Sequence, residues 1–542
     1  MHPISRRLFL AGSVAVVVGA CSDATTSGST TPRPENTVAA TTPPSSSTAP
    51  TPTSSTVPTP RLPGDPFTLG VASGDPDPTS VVLWTRLAPD PLAGGGMPDA
   101  NVPVTWQASS DDTFATVAHS GSTVATTAHG HSVHALAELP SGTWYYRFSA
   151  DGFVSPTGIT HVAPAQDTPT ASVRFATASC QHYETGFYRA HADIADQQPD
   201  FLVWLGDYIY EGGGGSVGKD GRVRSHVTAE PTTLADYRNR YALYKSDPDL
   251  QAAHAVCPWF VIWDDHEVEN NYAGLSPQNP ADAAGFAERR YEAYQAWWEH
   301  MPVRLEPPAA ADADYVIYRA VQWGDLLGIT LLDTRQYRTD QACNDVTLST
   351  EPPCDELFEE GRTLTGDRQE QFLYDTIGNQ QTVWNVIGQQ VVMTDLTFNG
   401  AVLNFDQWDG YPANRKRILA HLAEQAIPNV VVLTGDIHLA GVGQLHSDDP
   451  GSSAPVGVEF VATSISSSGN IPASLTELVK SFPDVIDAEL VHRGYILHTV
   501  TPAAWSAEYR IVDDARFPDS AVSAYRTFVI DTGTNTVRKE QP

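Results

Sequence analysis

Positive charge is scarce in this chain of 542 residues. Lysine and arginine together number 32, against 64 aspartate and glutamate residues, so the formal net charge is −32. Such a surface repels DNA, RNA and anionic lipid at long range, which argues against a nucleic-acid-binding function. A solvated surface on an exported protein explains the acidity, which by itself identifies no activity.

Long apolar runs are also lacking beyond the N-terminus. Arg6 and Arg7 precede an apolar run that ends at Cys21, in SRRLFLAGSVAVVVGAC. The run is shorter than the roughly 20 apolar residues that a membrane-spanning helix needs. We therefore interpret residues 1–21 as a twin-arginine signal of the lipoprotein type, and favour lipidation of Cys21 over its removal with the signal.

This signal predicts an exported protein that uses the twin-arginine machinery. The expected location is extracellular, periplasmic or at the cell surface, where a lipidated Cys21 would tether it to the membrane. Residues 22–63 contain TTPPSSSTAPTPTSSTVPTP and almost nothing apolar, which predicts an extended, solvated stalk. Twin-arginine export carries folded proteins, commonly with a cofactor already inserted, so it favours a bound metal.

Cysteine is scarce as well, with five residues in the chain. After Cys21, the pair Cys343 and Cys354 flanks a short loop and is expected to form a disulfide in an oxidising compartment. Cys257 leads into an apolar strand and is interpreted as core packing. Cys180, in RFATASCQH, has no obvious partner, so it is a candidate nucleophile, metal ligand or buried apolar side chain.

The chain divides by pattern into two folded parts. Residues 64–166 contain short alternating segments such as SVVLWTRL and VPVTWQAS, which predict a small antiparallel β-sandwich. The histidines in this part are interpreted as strand-surface residues rather than a metal site, because no carboxylate or cysteine accompanies them at ligand spacing. They are His129, His131 and His134.

From residue 172 longer apolar runs alternate with helical patterns, which predicts large sheets covered by helices over 172–515, followed by a C-terminal extension, 516–542. The expected strands are VRFATAS, FLVWLGD, WFVIWDD, LLGITLLD, VWNVIGQQVV, NVVVLTGD and VEFVATS. The expected helices are ADYRNRYALYK, ERRYEAYQAWWEHM and NRKRILAHLAEQ.

Four of these strands end on carboxylates, at Asp207, at the pair Asp264 and Asp265, at Asp333 and at Asp436. A single strand-terminal Asp often only caps a turn. As a set, however, polar residues at the carboxyl ends of strands mark the site in α/β folds.

The set of side chains near these strand ends has the composition of a polynuclear metal site. Carboxylate and amide oxygens suit Ca²⁺ or Mg²⁺, whereas thiolate, phenolate and imidazole suit a transition ion such as iron. Two or three cations held together are the usual means of attack on a phosphate ester. The candidate ligands are Cys180, Asp207, Tyr210, Asp265, His266, Asn270, Asp436 and His438.

The chain resembles the PhoD family of alkaline phosphatases and phosphodiesterases, within the metallophosphoesterase class. The similarity covers 64–166 and nearly all of 172–515, in an ordered series of motifs. These are GVASGDP, SCQHYETGFY, GDYIYEG, DYRNRYALYKSDPDLQAAHA, WDDHEVENNY, EHMPVR, LLDTRQYR, LTGDRQEQFL, DQWDGYPANR, LTGDIHLAG and VEFVATSISS.

The resemblance implies an α/β (α+β) fold, with a four-layer αββα sandwich of the metallophosphoesterase type preceded by a small Ig/fibronectin-like β-sandwich. It also implies one ferric ion and two calcium ions. By position, the iron ligands would be Cys180, Asp207, Tyr210 and His438. Asp207 would bridge to calcium, with Asn270 and Asp436 as further calcium ligands.

The catalytic candidates depart from the pattern of the wider class. His266 lies where that class has a catalytic histidine, but DDH stands here in place of the usual GNH motif. The resemblance therefore does not assign the roles of Asp265 and His266. The class also begins its first motif with an aspartate where this chain has Cys180. Arg335 follows another strand end. Its guanidinium group either donates two hydrogen bonds to the substrate phosphate or forms a salt bridge to a carboxylate.

The leading hypothesis is a secreted phosphoric ester hydrolase, in which a metal-activated hydroxide attacks an organic phosphate ester and releases inorganic phosphate. The alternative on the same scaffold is phosphodiesterase or phospholipase D type activity. Two other classes stay open: a cysteine hydrolase that uses Cys180 with His182 or His266, and a non-catalytic surface lipoprotein. Chelators and thiol alkylation distinguish the metal enzyme from the cysteine enzyme.

Overall fold

The computed structural model describes residues 61–219, 221–345, 352–447 and 454–540. The predicted signal and all but the last three residues of the predicted stalk lie outside these ranges. Within them, no helix is both long and apolar enough to cross a membrane. The described residues all belong to one compact unit.

Seven α-helices occur in the described ranges. They are α1 (Arg189–Gln197), α2 (Leu234–Lys245), α3 (Pro248–Val256), α4 (Phe286–His300), α5 (Gly366–Thr376), α6 (Pro412–Glu424) and α7 (Thr476–Val479). The three helices expected from the sequence are confirmed as α2, α4 and α6. Thr233 begins α2 with a capping box to Asp236, which satisfies otherwise free N–H groups of the first turn.

The strands of the described ranges form three sheets. They are β1 (Val71–Gly74), β2 (Ser80–Arg86), β3 (Val102–Ser109), β4 (His119–Ala125), β5 (Ser132–Glu138), β6 (Gly142–Ala150), β7 (Phe153–Val154), β8 (Gly158–Val162), β9 (Val173–Ala178), β10 (Phe201–Leu205), β11 (Pro258–Ile262), β12 (Arg319–Trp323), β13 (Leu327–Leu331), β14 (Trp384–Gly388), β15 (Val430–Thr434), β16 (Ala440–Leu445), β17 (Gly457–Val461), β18 (Val485–Glu489), β19 (Arg493–Val500), β20 (Ala504–Val512), β21 (Val522–Asp531) and β22 (Val537–Lys539).

Two large mixed sheets form the centre of the fold. Their strand orders are β22-β21-β20-β19-β9-β10-β11-β1-β2-β5 and β12-β13-β14-β15-β17-β16-β18. The segments β9, β10 and β11 pair in parallel, as do β13, β14, β15 and β17. These parallel strands are buried apolar runs, as expected when both faces are covered, and all seven predicted strands are confirmed.

The two sheets pack face to face through one apolar core. Val203 and Leu205 of β10 share this core with Leu433 of β15. Gly388 of β14 faces β10 so closely that a Cβ there would lie 3.8 Å from a methyl carbon of Leu205. The fold is therefore mixed α/β with stacked sheets.

The strands expected between residues 64 and 166 are present, but they divide between sheets. A third sheet contains β3, β4, β6, β7 and β8, whereas β1, β2 and β5 extend the ten-stranded sheet. Strand β1 joins the ten-stranded sheet by pairing in parallel with β11, where Ser73 lies opposite Pro258. Strands β21 and β22, in the segment 516–542, likewise belong to the ten-stranded sheet.

Several residues singled out in the sequence have structural roles. Cys343 and Cys354 form the expected disulfide, and Cys257 is buried in the core, as predicted. His131 and His134 were expected on a strand surface. Instead, His131 is buried with its Nε2 3.0 Å from the Ala100 carbonyl, and the Nε2 of His134 lies 2.9 Å from the Met301 carbonyl. His131 is therefore a correction, because its ring is buried between elements, whereas His134 lies on β5 and is only partly buried, in line with the expectation.

Candidate metal centre

The carboxyl ends of β9, β10, β11 and β15 bring the predicted ligands together. Cys180 and Asp207 each follow their strand by two residues, and so does Asp436. Parallel strands end at the same edge of a sheet, so their following side chains meet there. Glu267 connects the ends of β10 and β11, because its carboxylate accepts hydrogen bonds from the backbone N–H groups of Asp207 at 3.1 Å and Asp264 at 2.8 Å.

Four of the predicted ligands have left-handed backbone conformations. The φ angles are 59° at Cys180, 58° at Asp207, 59° at Asp436 and 57° at His438. Residues with a side chain rarely adopt this region, and such positions cluster at functional sites where surrounding structure enforces them. The left-handed turn directly after each strand directs these side chains into one cluster.

One side of the cluster combines thiol, phenol and imidazole. The Tyr210 hydroxyl oxygen lies 2.7 Å from Asp207 Oδ2 and 3.0 Å from His438 Nε2. One ligand atom each from Cys180, Asp207 and His438 lies within 4.8 Å of the others. The Tyr210 hydroxyl has a single proton, so it cannot donate a hydrogen bond to Asp207 and to His438 at once. Such close packing of potential ligand atoms is the arrangement expected of groups that share a metal ion.

The other side of the cluster is made of carboxylates. Oxygens of Asp207, Asp264, Asp265 and Asp436 lie within 4.8 Å of one another. Asp207 Oδ1 and Asp264 Oδ2 are buried and have no hydrogen-bond partner among the described residues. Buried oxygens are normally satisfied. These two unpartnered oxygens in a four-carboxylate group therefore fit hard cations.

Burial and mutual repulsion alter how these groups titrate. Burial raises the pKa of Asp207 and of Asp264 well above the usual range, and neighbouring carboxylates add to the effect. Burial raises the pKa of Asp436 to about 6, although Arg335 opposes it. Burial also raises the pKa of the Cys180 thiol, with Asp207 contributing. Without a cation, the cluster therefore favours protonated groups.

Arg335 is buried within the carboxylates. Its Nη1 donates to both oxygens of Asp406 at 2.8 Å, and its Nε donates to Asp264. Its Nη2 lies 3.3 Å from Asp436 Oδ1 and 3.7 Å from Asp265 Oδ1. Of the two roles that the sequence leaves open, these contacts correspond to the salt bridge.

His266 borders both sides of the cluster and is held by Glu211. The Nδ1 of His266 lies 2.6 Å from Glu211 Oε2, and the ring packs 4.1 Å, centroid to centroid, from that of Tyr210. One imidazole nitrogen groups with Asp207 and Asp265. Although burial alone lowers the pKa of His266, the carboxylate of Glu211 and those of Asp265 and Asp207 raise it well above its usual value.

Asn270 lies in the same loop but contacts the cluster differently. Its backbone N–H donates to Glu211 Oε1 at 3.0 Å. Glu211 thus joins the loop of Asn270 to the ring of His266. Its pKa is lowered to about 2, because His266 and these hydrogen bonds outweigh its burial.

Four residues that support the site were not among the candidates from the sequence: Glu211, Glu267, Asp406 and Ser467. Glu211 ends GDYIYE, Glu267 lies in WDDHEVENNY and Asp406 begins DQWDG, so all three lie within motifs that carry the family resemblance. Ser467 approaches to 2.9 Å from the Tyr210 oxygen, yet nothing in the run SISSS distinguishes it from its neighbours. Their roles depend on contacts between segments distant in sequence.

The chain is similar to proteins of known family over most of its length. The model of the PhoD-like phosphatase family matches residues 175–509, and that of the PhoD-like phosphatase N-terminal domain matches residues 52–164. Alkaline phosphatase D of Bacillus subtilis (strain 168) is 44% identical over 490 residues, which are 89% of this chain and 83% of that protein. A solved structure, described as the structure of PhoD, has a TM-score of 0.85 and 44% identity, covering 89% of this chain and 93% of that one.

Proposed function

The chain belongs to the PhoD-like phosphatase family and is a phosphoric ester hydrolase, and from this premise we propose that it releases inorganic phosphate from organic phosphate monoesters outside the cytoplasm. The observation that carries the proposal is the convergence of Tyr210, Asp207 and His438 beside a four-carboxylate group. An anionic ester needs a site that cations have made positive, and this cluster has the ligands to hold them.

We assign one ferric ion and two calcium ions to the cluster. Iron would be held by Cys180, Asp207, Tyr210 and His438, whose soft and phenolic donors suit it. Calcium would be held by Asp207, Asn270 and Asp436. Bound cations would neutralise the phosphate charge and lower the pKa of a water molecule.

The protein's own groups orient the ester and move the proton. His266, held by Glu211, would donate a hydrogen bond to the phosphate or to the departing oxygen. Asp265 fixes the start of this loop, because its Oδ1 accepts from the His266 N–H at 3.0 Å. Arg335 supplies a buried positive charge that holds Asp264 and Asp436 in place.

We also propose a specific layer arrangement for the fold and a location for the protein. The two stacked sheets with their helices support a four-layer αββα sandwich, and the packing of Val81, Leu83, Val104 and Phe148 supports an Ig/fibronectin-like β-sandwich before it. We propose export by the twin-arginine machinery and a lipid anchor at Cys21. Retention of the precursor inside the cell in an Arg6→Lys, Arg7→Lys variant would test the export route.

The substrate class is tested by parallel rates on 4-nitrophenyl phosphate, bis(4-nitrophenyl) phosphate and phosphatidylcholine vesicles. We expect the monoester to be hydrolysed fastest. Negligible monoester turnover beside rapid hydrolysis of a diester would replace the proposal with the phosphodiesterase or phospholipase D alternative. Metal analysis and a visible spectrum test the ions, since ferric phenolate or thiolate is coloured. A colourless, iron-free and fully active protein would refute the assignment of Cys180 and Tyr210.

Replacing Glu211 by Gln is expected to lower kcat about 10- to 100-fold with little effect on the fold. The substitution keeps the shape of the side chain but removes the charge that faces His266 Nδ1, so the ring loses its fixed orientation. Steady-state kinetics and a thermal melt would measure the two effects. Glu269→Gln is the matched control, because Glu269 instead pairs with Arg289 at 2.6 Å. Equal activity of both variants would remove Glu211 from the mechanism.

A further inference from the structure

The segment 464–468, which begins three residues after the end of β17, packs against the end of β9. The backbone N–H of Ile465 donates to the Ser179 carbonyl at 3.0 Å. The N–H groups of Ser466 and Ser467 point to the Cys180 carbonyl, at 3.4 and 3.3 Å. Most of the segment is buried, including Ser464, Ser466 and Ser467. A run of polar residues is thus held inside the protein against a proposed metal ligand.

This segment also contacts two further proposed iron ligands. The Ser467 Oγ lies 2.9 Å from the Tyr210 oxygen and 2.8 Å from the Cys180 carbonyl oxygen. The Ser468 carbonyl lies 2.7 Å from His438 Nδ1. A carbonyl can only accept, so Nδ1 carries the proton and the Nε2 lone pair of His438 is free for a metal.

A buried arginine holds the segment in place. Nη1 of Arg493, at the start of β19, donates to the carbonyls of His438 at 2.7 Å and Ser467 at 3.1 Å, and to Ser464 Oγ at 3.2 Å. Nη2 donates to the carbonyls of Leu490 and Val491, both at 3.1 Å. Every hydrogen bond observed for this guanidinium goes to a carbonyl or hydroxyl, which is the pattern of a backbone clamp.

We propose that segment 464–468, clamped by Arg493, is a positioning element for the candidate iron site, and that the Ser467 hydroxyl donates a hydrogen bond to the Tyr210 oxygen. A metal-bound phenolate has lost its proton and can only accept. The backbone N–H of His182 donates to Ser467 Oγ at 3.0 Å, which leaves the hydroxyl proton of Ser467 available to Tyr210 or to the Cys180 carbonyl. This inference rests on the iron assignment made under the proposed function.

The test is a Ser467→Ala variant compared with wild type and with Ser466→Ala. The Ser466 hydroxyl donates to the His182 carbonyl and contacts none of the four ligands, so that variant controls for loss of a buried hydroxyl. In Ser467→Ala the phenolate loses a donor. We expect its iron absorption band to move to longer wavelength and its iron affinity to fall about 10-fold. Calcium content should stay at the wild-type value.

Arg493→Met extends the test to the clamp. It should lower iron occupancy at limiting iron more than Ser467→Ala does, while Arg510→Met on the neighbouring strand β20, which breaks an ion pair to Asp193, should keep the iron and its spectrum. A coloured wild type with an unchanged band and iron content in Ser467→Ala would overturn this inference alone. A wild type without iron would overturn it together with the iron assignment.

Discussion

Replacing Asp207 by Asn is expected to remove bound metal and to lower kcat/KM on the order of 10³-fold. Asp207 belongs to all three groups of potential ligands, with Cys180 and His438, with Asp265 and His266, and with the other strand-end carboxylates. No other residue is shared by all three. The loss of this one charge therefore affects both the proposed iron site and the proposed calcium sites of the cluster.

Asp333→Asn is the matched control for this prediction. Asp333 is also a buried strand-end carboxylate, but its Oδ1 accepts from the backbone N–H groups of Arg335 at 2.9 Å and Gln336 at 3.0 Å, so it caps a turn. Its replacement should cost about 1–3 kcal/mol of stability and leave metal content intact. Metal analysis, kinetics and thermal melts separate the two variants. Full metal content in Asp207→Asn would contradict the assignment of this site.

The comparison of Asp207 with Asp333 also shows what the sequence can predict. Both follow apolar strands, and the pattern that places them at the sheet edge is local, because it depends on buried strands of five residues. Whether such an Asp caps a turn or faces a metal depends on the following residues. Asp207 and Asp436 are preceded by glycine and adopt left-handed φ angles, which direct their side chains away from their own turns.

Contacts between distant segments could not be predicted in the same way. Glu211 and His266 are 55 residues apart, and Arg335 meets Asp406 across 71 residues. Such pairs depend on which loops the packed sheets bring together, and a single sequence carries no signal for that. The parallel pairing of β1 with β11 is a similar case, because strand propensity does not specify the partner. The sequence therefore predicts the residue types of the metal centre, but not the residues that form hydrogen bonds and ion pairs to them.

These supporting contacts determine how the site behaves when metal is absent. Arg335 offsets part of the negative charge on Asp264 and Asp436, yet the pKa of each remains raised. A raised carboxyl pKa means that the folded protein binds a proton more tightly than the unfolded chain does. Its stabilising contribution is complete at low pH and disappears as the pH rises through the folded pKa. For Asp436 in metal-free protein this stability is lost between about pH 4 and pH 6, from the ordinary carboxyl pKa to the folded one, and the strongly raised pKa values of Asp207 and Asp264 add to the loss.

Treatment with a chelator is accordingly expected to abolish activity and to lower the melting temperature far more at pH 8 than at pH 5. For Asp436 alone, a pKa of about 6 in place of 3.8 corresponds to about 3 kcal/mol at pH 8, of which about 1.6 kcal/mol is already lost at pH 5. Bound cations reverse the effect, because they prefer the ionised carboxylates. The difference in melting temperature between loaded and chelated protein should thus widen from pH 5 to pH 8, which calorimetry at each pH would measure.

Asp436→Asn tests this explanation, because the same substitution should have opposite effects on stability and activity. Without metal, the variant lacks a buried charge, so it should be more stable than metal-free wild type at pH 8, more stable by a smaller margin at pH 5, and similar to it below about pH 4. With metal, it lacks a proposed calcium ligand and should lose most of its phosphatase activity. A metal-free variant that melts at or below the wild-type temperature at pH 8 would show that the buried charge of Asp436 does not limit stability. The loss of stability that metal-free protein shows at high pH would then come from other ionisable groups.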